Sequence, residues 1–168
     1  VVLHMMGSHG PAYYKRYPQG FGVFQPTCET SQFSHCTLDE ISNSYDNTIV
    51  YTDHVLAELI KALRVVADNG VDTAMIYASD HGESLGEKGL FLHGMPYSMA
   101  PREQTHVPML MWMSEAYRRA RSIDLRCVRG LKDREYSHDN IFHTVLGMLS
   151  IDTKVRDPSL DMLAPCRQ

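Results

Sequence analysis

The stretch Ala74–Gly94, AMIYASDHGESLGEKGLFLHG, decides the fold. Its first five residues can be buried on both faces and are followed by the turn signal SDHG, a pattern typical of a central parallel strand. Ligands of open α/β sheets bind where such strands end, so we expect the Asp80 carboxylate and the His81 imidazole to lie at a functional site. Zinc takes oxygen and nitrogen donors of these kinds, and a further imidazole, His93, follows after a loop that contains several glycines.

Length and composition favour a single domain with one hydrophobic core. The chain has 168 residues, of which 43% are hydrophobic, and its formal net charge is −4. This charge argues against a nucleic-acid partner. No apolar run reaches the roughly 20 residues of a membrane span, and no signal peptide is evident. Because the sequence begins in an apolar stretch without an initiator Met, we expect a fragment of a longer protein.

The four cysteines include no CxxC pair, which excludes a zinc ribbon and leaves free thiols or disulfides. Cys28 and Cys36 bracket the short polar segment ETSQFSH, which has little else to hold it. On the loop-entropy model a bridge between them would stabilise the fold by roughly 2.5 kcal/mol. We expect disulfides, and therefore an oxidising compartment.

The N-terminal half reads as a strand, a loop and a long helix. Val1–Met6 is apolar and carries His4, and the loop GSHGP that follows places His9 just past the strand end. The capping box at Thr37–Glu40 starts an amphipathic helix that runs to the stop signal NG at residue 70. Strand, helix and the buried strand described above would form a βαβ unit, so we expect an α/β fold with a mostly parallel sheet flanked by helices.

The C-terminal half continues with a third apolar strand and two helices. The strand is Val107–Met113, in which Pro108 is tolerated near the start. A short helix follows at Ser114–Arg121, and helical spacing returns at Ser137–Leu149. The arginine-rich run RRARS reads as a solvated face, with a phosphate site as the less favoured alternative.

Four residues at predicted strand ends carry the candidate chemistry: His9, Asp80, His81 and His93. Neighbours on a strand point to opposite faces, so Asp80 and His81 can share a metal only if the chain turns at Gly82. Two ligands do not complete a zinc site, which takes three or four. No hydroxyl nucleophile beside a base is evident. The pattern therefore predicts a metal site at the carboxyl edge of an α/β sheet.

Two segments of the chain resemble a known family. HMMGSHGPAYYKRYP and SDHGESLGEKGLFLHGMPY are similar to the signature segments of the bacterial phosphoethanolamine transferases that modify lipid A, the type associated with colistin resistance. The likeness covers nearly the whole chain, including YDNTIVYTD and VPMLMW. It implies a fold like that of the alkaline phosphatase and sulfatase superfamily, in which residues 1–168 form the C-terminal part of a single periplasmic catalytic domain.

The resemblance also implies roles for individual residues. Asp80 and His81 match the family's zinc ligands at the catalytic ion. His9 and His93 match histidines on the phosphate-donor or second-zinc side of the pocket, and His4 matches a nearby histidine. Because the family is periplasmic and rich in disulfides, the resemblance implies the pairs Cys28–Cys36 and Cys127–Cys166.

The family's nucleophilic threonine, a further acidic zinc ligand and the membrane-spanning region lie upstream of the segment that matches Val1. The resemblance therefore implies that this chain alone is inactive. It also implies that the whole protein is anchored in the bacterial inner membrane, with this domain on the periplasmic face.

For the whole protein the resemblance implies transfer of phosphoethanolamine from phosphatidylethanolamine to a lipid A phosphate through a zinc-activated threonine. Two alternatives stay open within the superfamily: a transferase for another lipopolysaccharide acceptor, and a phosphoglycerol transferase or sulfatase relative with the same Asp80–His81 pair. A different class is a non-catalytic, disulfide-bonded binding domain without a metal.

Overall fold

The computed structural model describes residues 1–168. The helices are α1 (Leu38–Asp68), α2 (Arg102–Thr105), α3 (Glu115–Ala120), α4 (Leu125–Gly130) and α5 (Asp139–Met148), and the strands are β1 (Ala74–Ala78), β2 (Ser84–Leu85), β3 (Phe91–Leu92) and β4 (Met109–Met113). None of these helices combines the length and the hydrophobic character that a membrane crossing requires.

Helix α1 begins and ends where the sequence predicts. At its start the Thr37 backbone N–H donates to Glu40 Oε2 at 2.7 Å, and the Glu40 N–H donates to Thr37 Oγ1 at 3.2 Å. This reciprocal pair satisfies backbone donors that lack a partner within the helix. After Asp68 the chain turns at Gly70, whose φ of 86° is left-handed and is adopted by glycine without a steric penalty.

Strand β1 forms as predicted and pairs with β4 in a two-stranded sheet. The backbone N–H of Ser114, which follows β4, donates to the carbonyl of Thr73, which precedes β1, at 2.9 Å. The backbone N–H of Ser79, which follows β1, donates to the carbonyl of Pro108, which precedes β4, at 3.2 Å. The start of each strand thus lies beside the end of the other, so the pair is antiparallel. Strands β2 and β3 are also antiparallel. The parallel pairing that we predicted is therefore not found within this chain, because an apolar run indicates burial but not strand direction.

The predicted N-terminal strand Val1–Met6 is wrong for this chain. The segment has no regular secondary structure, and Val1, Val2 and Leu3 are exposed. A strand requires a neighbour that exchanges backbone hydrogen bonds with it, and no segment of this chain pairs with residues 1–6. The predicted βαβ unit is therefore not formed within residues 1–168.

The chain consists of two compact units, of which the first comprises Val1–Ala62 and Tyr77–Leu110. Its core contains Tyr13, with Cys28 and Ile41 also buried. The Tyr13 ring stacks on Phe33 with centroids 5.6 Å apart and meets Tyr45 edge-on at 5.4 Å. These aromatic contacts hold the loop that follows His9 against helix α1.

The second unit comprises Leu63–Ile76 and Met111–Gln168. Its buried core residues are Tyr117, Ile123, Met148 and Leu163. The Tyr117 hydroxyl donates to the Met148 carbonyl at 2.6 Å, which satisfies this buried polar group.

Each unit contains one disulfide, Cys28–Cys36 in the first and Cys127–Cys166 in the second. Both are the pairs that the family resemblance implied, so this prediction is confirmed. Cys28 is buried, and its backbone N–H donates to Ser44 Oγ at 2.7 Å. The bridge therefore closes the polar segment before α1, and the hydrogen bond to Ser44 fastens that segment to the helix.

Candidate metal centre

Three of the predicted site residues converge in the first unit. His9 lies in the loop after the N-terminal segment, His81 follows β1, and His93 follows β3. The rings of His81 and His93 stack with centroids 3.8 Å apart, and the His9 centroid lies 5.0 Å from that of His93 and 6.0 Å from that of His81. One ligand nitrogen from each ring lies within 4.8 Å of the others. We call these three residues the histidine group; they could hold a metal ion.

A close backbone approach at Gly82 positions His81. The Gly82 N–H donates to the Gln104 carbonyl at 3.0 Å. A Cβ at position 82 would lie 2.0 Å from the Glu103 carbonyl oxygen, which no side chain tolerates without movement of the backbone. The turn that the sequence required for a shared site is therefore present, and only glycine fits in it.

Asp80 lies beside His81 but outside the histidine group. Its side chain is 81% exposed, and Oδ2 lies 3.9 Å from Nε2 of His81. Its other oxygen accepts the His81 backbone N–H at 3.1 Å. Two ligands that are each about 2.0–2.2 Å from zinc lie at most about 4.4 Å apart, so these two atoms are close enough to share an ion.

A buried carboxylate that the sequence analysis did not single out, Glu83, connects the segments that carry the histidines. Its side chain is 3% exposed. Oε1 accepts the Gly10 backbone N–H at 3.2 Å and lies 2.9 Å from Nδ1 of His93, and Oε2 accepts the Tyr13 hydroxyl at 3.0 Å. Glu83 therefore fixes the loop after His9 and the ring of His93 in one frame. The signal that could have found it is its place in the motif SDHGE.

Tyr13 is kept as a donor to this carboxylate by its surroundings. Burial, followed by the negative charge of Glu83, raises the pKa of the Tyr13 hydroxyl far above its usual value. The hydroxyl therefore stays protonated and remains available as a donor to Glu83.

Hydrogen bonds also determine which nitrogen each ring presents. Nδ1 of His81 lies 2.9 Å from the Gly82 carbonyl, which only accepts, so this nitrogen carries the hydrogen. Nδ1 of His93 meets the Glu83 carboxylate in the same way. Nε2 of each ring is left open, and this is how metal-binding histidines are oriented, since their other nitrogen donates to a carboxylate or a carbonyl.

His4 is not brought to this centre. It is exposed in the irregular N-terminal segment and does not belong to the histidine group. The structure thus places His9, His81 and His93 together with Asp80 adjacent, and leaves His4 apart.

Comparison with known proteins assigns the family. The model of the family described as "Sulfatase" matches residues 1–151, and the chain belongs to the sulfatase family. This match, together with the structural neighbours, confirms the predicted fold class, that of the alkaline phosphatase and sulfatase superfamily.

Three relatives are named phosphoethanolamine transferases. Phosphoethanolamine transferase EptA from Escherichia coli (strain K12) is 45% identical over 169 residues, which cover 100% of this chain and 31% of the relative. The integral membrane protein lipooligosaccharide phosphoethanolamine transferase A (EptA) from Neisseria meningitidis has a TM-score of 0.94 at 43% identity, over 99% of this chain and 31% of that one. The C-terminal periplasmic domain of phosphoethanolamine transferase EptC from Campylobacter jejuni has a TM-score of 0.87 at 43% identity, over 98% and 51%. The chain therefore spans about a third of the length of the curated relative that it matches.

Proposed function

We propose that the whole protein is a zinc-dependent transferase that moves phosphoethanolamine from phosphatidylethanolamine to a phosphate of lipid A. The proposal is carried by the histidine group, supported by a buried carboxylate, in a chain 45% identical to a phosphoethanolamine transferase. One structural relative is named an integral membrane protein and another a periplasmic domain. We therefore place the protein in the bacterial inner membrane with this domain on the periplasmic side.

The residues present fit zinc. Imidazole nitrogens and carboxylate oxygens are its usual ligands, and the histidine group and the Asp80–His81 pair offer both at suitable spacing. In our proposal Asp80 and His81 hold the catalytic ion, with His9 and His93 beside it. When bound, zinc would supply a Lewis acid that lowers the pKa of a nucleophilic hydroxyl and polarises phosphoryl oxygens.

His93 is suited to act on the phosphate group. Its Nδ1 lies 2.9 Å from Oε1 of Glu83, and its Nε2 is open. In the protonated form Nε2–H can donate to a phosphoryl oxygen or give its proton to the departing oxygen of diacylglycerol. His9, whose ring centroid lies 5.0 Å from that of His93, supplies a second donor for the same phosphate.

The proposed reaction has two steps. A threonine from the part of the protein upstream of this chain loses its hydroxyl proton to solvent, and its oxygen attacks the phosphorus of phosphatidylethanolamine. The bond from phosphorus to the diacylglycerol oxygen breaks, and that oxygen takes a proton. A phosphate oxygen of lipid A then attacks the same phosphorus, the bond from phosphorus to the threonine oxygen breaks, and that oxygen takes up a proton to restore the hydroxyl. The product carries an added ammonium, which would weaken the binding of cationic peptides such as colistin.

The test is transfer by the full-length protein in detergent micelles that contain phosphatidylethanolamine and lipid A. We expect the mass of lipid A to rise by one phosphoethanolamine group, and His81→Ala to abolish this product. His35→Ala, an exposed histidine outside the histidine group, should leave it unchanged. Transfer from phosphatidylglycerol alone, modification of a core sugar alone, or equal product from the His81→Ala variant would overturn the proposal.

A further inference from the structure

Part of the arginine-rich run RRARS, at residues 118–122 of the second unit, lines a surface cavity of about 680 Å³. Four arginines line it, Arg118, Arg119, Arg126 and Arg129, together with one acidic residue, Asp124. The sequence alone favoured a solvated face for this run. A concave surface lined by several arginines is a different arrangement, because it can hold an anion rather than only face water.

Three of the four arginines have no acidic partner. Arg119 pairs with Glu115 on helix α3, whereas Arg118, Arg126 and Arg129 form no ion pair. The Asp124 carboxylate is occupied as the cap of helix α4, where Oδ1 accepts the Arg126 backbone N–H at 2.7 Å. With Asp124 as its one acidic residue, the cavity still carries a net positive charge, in a chain whose net charge is −4.

The wall of the cavity is fixed by backbone and covalent links. The Asp124 N–H donates to the Cys166 carbonyl at 2.9 Å, and the Gln168 N–H donates to the Ser122 carbonyl at 3.0 Å. The disulfide between Cys127 and Cys166 joins helix α4 to the same C-terminal segment. Because the frame is already ordered, less conformational entropy is lost when the arginines close on a ligand.

We propose that this cavity is a binding site for phosphate-bearing anions. Guanidinium groups form bidentate, charge-assisted hydrogen bonds with phosphate oxygens, and three of them can surround a terminal phosphate or a diphosphate. The phosphate can belong to an anionic lipid headgroup or to a soluble compound, since the same contacts serve both. The inference rests on residues of the second unit only and does not depend on the function proposed for the histidine group.

The test compares the full-length protein in detergent with a variant that combines Arg118→Gln, Arg126→Gln and Arg129→Gln. One probe is inorganic pyrophosphate, measured by calorimetry, and the other is phosphatidylglycerol, measured as adducts in native mass spectrometry. We expect the unmodified protein to bind at least one probe and the variant to bind it at least about tenfold more weakly. A matched variant with Arg64→Gln, Arg102→Gln and Arg134→Gln, three exposed arginines without ion pairs, should bind as the unmodified protein does.

Each outcome decides the proposal. Arginine-dependent binding of pyrophosphate supports a soluble phosphate ligand, and arginine-dependent binding of phosphatidylglycerol alone supports a lipid headgroup. Binding of neither probe, or equal losses in the two triple variants, overturns the site. If the first variant does not fold, the single substitution Arg126→Gln replaces it in the test, because this residue is exposed. Unchanged binding in the Arg126→Gln variant would equally count against the proposal.

Discussion

Oε1 of Glu83 lies 2.9 Å from Nδ1 of His93. The carboxylate belongs to the segment that follows β1 and the imidazole to the segment that follows β3, so this contact joins two parts of the centre. It occupies one nitrogen of the ring and leaves the other open. Glu83 is thus a positioning residue, which acts through His93.

Replacement of Glu83 by Gln tests that role. We expect phosphoethanolamine transfer to fall by about 10- to 100-fold, as is typical when the partner behind a ligand or donor histidine is lost. The fall should appear mainly in kcat, because Gln keeps the shape but not the negative charge. Glu83→Asp should restore part of the activity, and Glu103→Gln, at an exposed position, should have no effect. Full activity in Glu83→Gln would contradict the role.

Zinc content tests the proposed metal ligands. A double variant with Asp80→Ala and His81→Ala should lose at least one zinc ion per chain. It lacks both proposed ligand atoms, Oδ2 of Asp80 and Nε2 of His81, which lie 3.9 Å apart. The measurement is elemental analysis of the full-length protein after dialysis, with His35→Ala as the control. Unchanged zinc in the double variant would show that the catalytic ion lies elsewhere or is not bound.

Gly82→Ala tests the turn behind His81. The added Cβ would lie 2.0 Å from the Glu103 carbonyl oxygen, so the backbone must shift. We expect a loss of about 1–3 kcal/mol in the free energy of unfolding, measured by urea denaturation. Gly130→Ala is the matched control, because a Cβ there meets no atom within 4 Å. Equal stability of the two variants would mean that the turn is not tightly packed.

Asp161→Asn tests the buried charges of the second unit. The Asp161 side chain is 0% exposed, and its Oδ2 lies 2.7 Å from Nη2 of Arg156 and 3.3 Å from Nη2 of Arg167. The buried Nε atoms of both arginines have no hydrogen-bond partner. Removal of the negative charge leaves two cations uncompensated, so we expect a loss of about 3–5 kcal/mol in unfolding free energy. Thermal unfolding is the readout, with the exposed Asp133→Asn as control. A shift no larger than that of the control would contradict this account.

Features set by local patterns could be predicted from the sequence. The capping box and the stop at Gly70 defined helix α1, and the apolar run before Ser79 defined strand β1. The segment Val1–Met6 has the same apolar character as β1, yet it forms no strand, because pairing depends on a partner that the pattern does not contain. The direction of β4 relative to β1 was unpredictable for the same reason.

The part of the candidate site that could be predicted consists of residues that directly follow strands. His81 and His93 follow strands in the structure, and the pattern named both. Glu83 was missed because its role depends on Gly10, 73 residues away, and on Tyr13, 70 residues away. Such long-range contacts leave no periodic signal in a single sequence.

The measurement that tests the central claim most directly is the intact mass of the zinc-loaded, full-length protein after incubation with phosphatidylethanolamine. We predict an adduct of one phosphoethanolamine group on a threonine, absent from the His81→Ala variant and retained in His35→Ala. No adduct from phosphatidylethanolamine, together with one from phosphatidylglycerol or from a sulfate ester, would contradict the proposed function and assign the same histidine group to a different reaction of the sulfatase family.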